Sequence, residues 1–414
     1  MNPVTLFLLT ISGIFLIGTL GEIVFRRTNV PDAIWLILMG ILIGPVTGLV
    51  HREQLGSIAP YFAALTLIVV LFEGGSKLKI KEVSREVHFS GFLALLTFGA
   101  SILTVTLACF LLEPTGLFPS FWNWKYGLLL GVILGGSSSI VIMPAMSQAK
   151  VEPEVANLVN LESAFTDALC VVGASTLIEL LAKGGSSSPI GALFRSLGMG
   201  LALGLAFGAL WLFLLRPLKE STHSYPITFS ALLILYVLVG KAGGSAALGI
   251  LAFAVIVGNA GWIGSKLKLS IKISLGEEVR GFHSQMAFII KSFFFTFIGA
   301  MLTLPWSFIG LGLLLGILLL LARVPCAWLI GKSRGLGPSQ WKLVAVSMPR
   351  GMAAGVLATM PLSAGISGTE PFPAIVFSCV LASILVFAVG FPLVKKKGSS
   401  SLSTEPTPPM DKKV

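Results

Sequence analysis

The run NLESAFTDALCVV, from Asn160 to Val172, sets Glu162 and Asp167 inside a stretch that is otherwise apolar. On a helix, Ser163 and Asp167 stand one turn apart, and so do Glu162 and Thr166. The run therefore presents two adjacent ridges of oxygen. A carboxylate with a hydroxyl beside it is the chemistry of hard monovalent cations, which want oxygen ligands in place of part of their hydration shell. The competing reading is that these acids only form buried ion pairs with basic residues from elsewhere in the chain. Arg323 and Arg350 are available for that, and it suits Glu162 better; Asp167 is the better candidate for holding an ion. Other charges inside apolar segments are Glu73 and Lys291, whereas Glu179 and Lys342 lie near segment ends, from where a long side chain can reach the surface.

The elements that must position these groups are membrane helices. Of the 414 residues, 55% are hydrophobic and 11% charged, and the mean hydropathy is +0.93, far above that of a soluble domain. Apolar blocks recur at lengths that cross a hydrocarbon layer about 30 Å thick. About thirteen are expected: 4–25, 31–50, 58–76, 88–113, 126–148, 154–182, 189–215, 224–240, 245–263, 282–303, 305–331, 339–362 and 373–394. The fold class is thus an all-α polytopic membrane protein with a transmembrane domain over 1–394. A polar, Pro- and Ser-rich tail over 395–414 is expected to be disordered. The first block is followed by Arg26 and Arg27 rather than by a small-residue cleavage site, so it is expected to stay as a span. Cys109, Cys170, Cys326 and Cys379 sit singly in apolar blocks and are expected to be small core residues.

Basic residues are distributed unevenly. Loops after odd-numbered spans, with the tail, carry most of the Lys and Arg, and the opposite loops carry only Arg52, Lys125, Lys183, Arg195 and Lys241. This asymmetry predicts a cytoplasmic C-terminus in a multi-pass protein of the cell membrane. The net charge of +11 is then mainly topology. The phosphate-binding stripes with interleaved aromatics that a nucleic-acid partner needs are missing, and the expected surroundings are the lipid bilayer. The histidines His51, His88, His223 and His283 fall near span ends or loops without metal spacing, and no enzyme chemistry or cofactor is indicated.

Two segments look unable to stay helical at mid-membrane. GVILGGSSSIVIMP combines Gly135, Gly136, Ser137, Ser138, Ser139 and Pro144, and SMPRGMAAGVLATMP combines Pro349, Gly351, Gly355 and Pro361. Interruptions at corresponding places in two halves point to an inverted-repeat transporter whose site lies where discontinuous helices cross. The halves would be 4–182 and 224–394, each of six helices, with 189–215 as the linker and the breaks in spans 5 and 12.

In order along the chain, PDAIWLILMGILIGP, VLFEGG, GGSSS, LESAFTD, IIKSFFFTFIG, LLLLARV and MPRGMAAGVLA resemble the monovalent cation:proton antiporter superfamily, especially its sodium/proton exchanger, NhaP-like branch. The resemblance covers 30–362. It implies a thirteen-span homodimer in which a core bundle moves against a dimerisation bundle. It also implies roles: Asp167 binds cation and proton, Ser163 supplies a hydroxyl ligand, and Glu162 is a structural acid paired with Arg323. Arg350 would stabilise the crossing, and Glu73 would add an oxygen or line the pathway. Where the branch often carries Thr-Asp-Pro, this chain has Ser137, Ser138 and Ser139, of which Ser137 and Ser138 are candidate ligands. Thr166 stands where Asn or Asp is usual, which leaves one carboxylate.

The expected mechanism is competition. Protonated Asp167 is neutral and holds no cation, whereas ionised it does, with oxygens of Ser163, Thr166 and span 5 completing the shell. Burial favours the neutral acid and a bound cation the ionised one, so each excludes the other. One exchangeable charge predicts electroneutral exchange of one cation, sodium or lithium first, for one proton. Lys291 would complicate this if it lost its proton. Otherwise it is a paired, charge-compensating lysine. Alternatives are potassium/proton antiport or a potassium-efflux system, and, in a different class, a cation channel or a non-transporting sensor on the same frame.

Overall fold

Hydrocarbon offers a peptide group no hydrogen bond, so a chain this apolar must satisfy its backbone within helices. The computed structural model describes residues 3–28, 32–49, 52–77, 83–113, 116, 122–182, 189–218, 224–266, 277–301 and 306–402, and every regular element in them is helical. The chain runs through α1 (Pro3–Thr28), then α2 (Asp32–Ile41), which continues into a π-helical turn over Leu42–Val46. Next come α3 (Arg52–Lys77), α4 (Val83–Leu112), α5 (Trp124–Ile133), α6 (Ser139–Gln148), α7 (Pro153–Ala182) and α8 (Pro189–Leu218). It continues with α9 (Ser224–Lys241), α10 (Ala246–Gly258), α11 (Ala260–Lys266), α12 (Glu277–Met301), α13 (Trp306–Arg334), α14 (Pro338–Val346), α15 (Met352–Ser363) and α16 (Phe372–Leu402).

Each apolar block expected from the sequence coincides with one helix or with a consecutive pair; the pairs are α5 with α6, α10 with α11, and α14 with α15. Among the described residues, five single helices (α4, α7, α8, α13 and α16) are long and apolar enough to cross a membrane, and α10 with α11, bent by 64°, make a sixth candidate. That bend was not foreseen. Asn259 ends α10 and its side-chain amide donates to the Val255 carbonyl at 2.7 Å, competing for an acceptor of the helix. Helix α16 runs past the expected boundary at 394 to Leu402, and 403–414 lie outside the described residues.

Two groups of helices emerge from the packing. In one, α4 packs on α5, α7 and α13, and α16 packs on α13, α14 and α15. In the other, α10 packs on α3, α8 and α9, and α12 on α1, α2 and α3. The principal seam between them is α3 against α15, with α10 touching α7. Outward faces stay apolar, with Leu8, Leu9, Leu16, Leu103, Leu321 and Leu393 exposed, as a lipid-facing surface requires. At the α2–α12 contact the backbones nearly touch, because Gly40 and Gly299 face each other where a β-carbon on either would run into main chain.

Candidate functional site

Both interruptions exist, and they face one another. Helix α5 stops at Ile133 and α6 begins at Ser139; helix α14 stops at Val346 and α15 begins at Met352. Between the halves of each pair the chain is extended, with Ser138 at φ −113° and ψ 105°. The two extended pieces are joined by a main-chain hydrogen bond from Ser138 N–H to the Pro349 carbonyl at 2.7 Å. Gly351 is a close-approach position, since a β-carbon there would collide with the Ser138 side chain. The prolines play a different part from the one expected. Pro144 lies inside α6, and Pro361, like Gly355, lies inside α15. The breaks form instead at the Gly135–Ser138 and Ser347–Gly351 stretches, where glycine freedom and the missing N–H of Pro349 weaken the helix.

Helix α7 passes this crossing and presents its oxygen ridges to it. The Ser163 hydroxyl donates to the Ser137 carbonyl and accepts from the Ser139 N–H, each at 2.7 Å, so one side chain bridges the α5–α6 gap. The Thr166 hydroxyl accepts from the Ser137 N–H at 3.2 Å and donates to the Ser163 carbonyl at 3.1 Å. Glu162 is completely buried and fully engaged. Its Oε1 accepts from Arg323 Nη1 at 2.8 Å and from Thr97 at 3.1 Å, and its Oε2 from Arg323 Nη2 at 2.9 Å and from the Ser137 hydroxyl at 3.0 Å. Arg323 also donates through Nε to the Val344 carbonyl at 3.1 Å, which ties the pair to α14. The fork-on-fork geometry is the strong form of this contact.

Arg350 supplies the positive charge at the other interruption. Its Nη1 donates to the Gly136 carbonyl at 2.7 Å, its Nη2 to Ser101 at 3.4 Å, and its N–H to the Ser383 hydroxyl at 2.8 Å. Asp167 differs from all of these. Half-buried beside Gly136, it makes no hydrogen bond or salt bridge among the described residues, and the charges that act on it are those of Glu162 and Arg350.

The structure therefore brings Ser137, Glu162, Ser163, Thr166, Asp167, Arg323 and Arg350 together. Ser138 contributes its main chain to the crossing, while its hydroxyl is turned to Gly351. Glu73 and Lys291 stand on α3 and α12, which pack on each other and on α15, and the Lys291 ammonium lies 5.6 Å from the centre of the Phe288 ring. Sequence reasoning missed Thr97 and Ser101 of α4, Ser383 of α16 and the bridging N–H of Ser139. The α4 pair carries no distinct signal, since the same helix also holds Ser90, Thr104 and Thr106. Among the described residues no group of three or more His, Cys, Asp or Glu forms a metal site. His88 is exposed on α4, and the side chains of His51, His223 and His283 lie outside the described residues.

Known proteins share this fold. The K(+)/H(+) antiporter NhaP2 of Shewanella baltica is 26% identical over 424 residues, covering 96% of this chain and 69% of its own. The Na(+)/H(+) antiporter 1 of Methanocaldococcus jannaschii is 24% identical over 351 residues, covering 83% of this chain and 80% of its own. The structure of the sodium proton antiporter MjNhaP1 from the same archaeon at pH 8 superposes with a TM-score of 0.76 at 20% identity, over 95% of this chain and 99% of that one. The fold is thus the one seen in that antiporter. The family described as sodium/hydrogen exchanger, transmembrane, matches residues 11–396, from within α1 to near the end of α16, and to that family of membrane cation/proton antiporters this chain belongs.

Proposed function

We propose that the protein exchanges a monovalent cation for a proton by alternating access, with Asp167 as the group that binds the two in turn. The observation that carries this is the contrast within α7. Glu162, Ser163 and Thr166 spend their hydrogen bonds on holding the crossing, whereas the Asp167 carboxylate beside them is uncommitted. A buried carboxylate already paired with a guanidinium has no capacity for a second cation, so Glu162 is structural. Asp167, next to the carbonyls and helix ends released at the breaks, is a site for a desolvated cation. With the Ser137 hydroxyl engaged by Glu162 and the Ser138 hydroxyl turned to Gly351, Thr166 and Ser163 of its own helix supply oxygens to the ion in this reading, and Glu73 serves the pathway.

One exchangeable carboxylate supports electroneutral exchange of one cation for one proton. An empty, charged site is costly to carry through a low-dielectric region, so only loaded forms cross. In this reading the helices make thirteen crossings in two inverted six-helix repeats, the protein is a homodimer, and its C-terminus faces the cytoplasm of the cell that bears it in its membrane. Sodium or lithium is the first choice of cation. Potassium is the second reading, favoured by the Shewanella baltica relative named for K(+)/H(+) antiport. The test is proton flux into proteoliposomes driven by lithium, sodium or potassium gradients, with the membrane potential free and clamped. Exchange indifferent to the clamp, and abolished by Asp167→Asn in a well-folded protein, supports the proposal. Undiminished flux in that variant refutes it.

A further inference from the structure

Gly136 faces the candidate ion site with nothing where a side chain would be. A β-carbon built there would sit 3.2 Å from Asp167 Oδ1, 3.0 Å from Cys170 Sγ and 3.5 Å from the Thr166 carbonyl oxygen. A methyl there would therefore press on the uncommitted carboxylate and on one thiol, with a main-chain oxygen of α7 in ordinary contact. That direction is fixed, because the Gly136 carbonyl is held on another side by Arg350 Nη1 at 2.7 Å and the next residue's N–H by Thr166 at 3.2 Å. Cys170 is 1% exposed, so its sulfur is a firm wall rather than a mobile one.

We infer that Gly136 and Cys170 set the size of cation that Asp167 accepts: the glycine by leaving the carboxylate unpressed, the thiol by packing against the same point beside it. The inference rests on Asp167 as the binding group and goes beyond it to selectivity. Its physical basis is that a larger alkali ion keeps its ligands at longer distances and so needs more space in contact with the carboxylate. A methyl at Gly136 lies closer to Asp167 and Cys170 than ordinary van der Waals contact, so the carboxylate and sulfur must yield by a few tenths of an ångström. The volume lost is then taken from the ion. Removing the sulfur does the reverse.

The experiment measures apparent affinities for lithium, sodium, potassium and rubidium by proton flux in proteoliposomes, for wild type, Gly136→Ala, Cys170→Ala and the double variant. Adding one methyl should shift the ratio of affinities toward the smaller ions by about tenfold, the scale on which one methylene discriminates in a confined site. Cys170→Ala alone should shift it toward the larger ions, and the double variant should return close to wild type. Cys170→Ala only removes atoms, so it tests the inference even if Gly136→Ala does not fold. Ratios unchanged within about twofold in Cys170→Ala, or equal loss of all four ions in a folded Gly136→Ala protein, would overturn it. Asp167→Asn measured alongside separates the two levels. Flux surviving in that variant sinks the ion-site assignment itself, whereas its loss together with unchanged ratios elsewhere sinks only the selectivity inference.

Discussion

Arg323 meets Glu162 through two parallel hydrogen bonds of 2.8 and 2.9 Å, with 2% and 0% of the respective residues exposed. The pair joins α13 to α7, and through the Thr97 and Ser137 hydroxyls and the Val344 carbonyl it reaches α4, the α5–α6 break and α14. Two charges removed from water are a poor source of net stability, but removing one of them leaves the other stranded. Arg323→Ala should therefore cost about 3–5 kcal/mol, seen as a large fall in thermal unfolding temperature in detergent. Glu162→Gln combined with Arg323→Met should cost clearly less than the sum of the single changes. Additive losses would mean that the two do not act as a unit.

Thr97→Val keeps the shape of the side chain and removes one donor to a buried carboxylate, at an expected cost of about 2 kcal/mol. Ser101→Ala removes a 3.4 Å contact to Arg350 and should cost well under 1 kcal/mol, since hydrogen bonds weaken at that length. Chemical or thermal unfolding of the two variants side by side checks the order.

Ser163→Ala deletes both bonds that bridge the α5–α6 gap and leaves a main-chain donor and acceptor without their partner. The expected loss is about 2 kcal/mol of stability, together with weaker apparent affinity for the transported cation, because the bridge also fixes the oxygens around Asp167. Unfolding and flux measured on the same preparation show whether both effects appear together.

Much of this network could be read in the sequence, and the reason lies in where charge is tolerated. Glu162, Asp167, Arg323 and Arg350 stand out because ionisable groups at membrane depth are rare, and the breaks stand out because clustered glycines lower helix propensity. Thr97, Ser101 and Ser383 could not be recognised in the same way. Hydroxyl residues are common in membrane helices, where they bond back to the preceding turn, and Thr97 does so here with Leu93 and Ala94 as well as reaching Glu162. The division of labour among the serines was also hidden, since nothing in GGSSS says which hydroxyl turns to Glu162 and which to Gly351. Pro144 and Pro361 misled for a complementary reason: a membrane helix absorbs a proline when its neighbours compensate the lost bond.

On the proposed competition of proton and cation for Asp167, the sign of the pH dependence follows. Acidification fills the site with protons, so the apparent KM for the cation should rise, by about tenfold per pH unit once protons predominate, while the maximal rate at saturating cation changes much less. Initial rates over a matrix of pH and cation concentration distinguish this from a separate pH sensor, which would lower the maximal rate instead.

The bond from Ser138 to Pro349 and the clamp of Arg350 on Gly136 have a mechanical meaning. Neither unwound stretch can shift by an ångström without tearing its grip on the other, so the pair behaves as a single rivet through the middle of the bundle. A bound ion held there is a passenger on a rigid carriage. In the proposed mechanism its journey comes from movement of one packed group against the other along the α3–α15 seam.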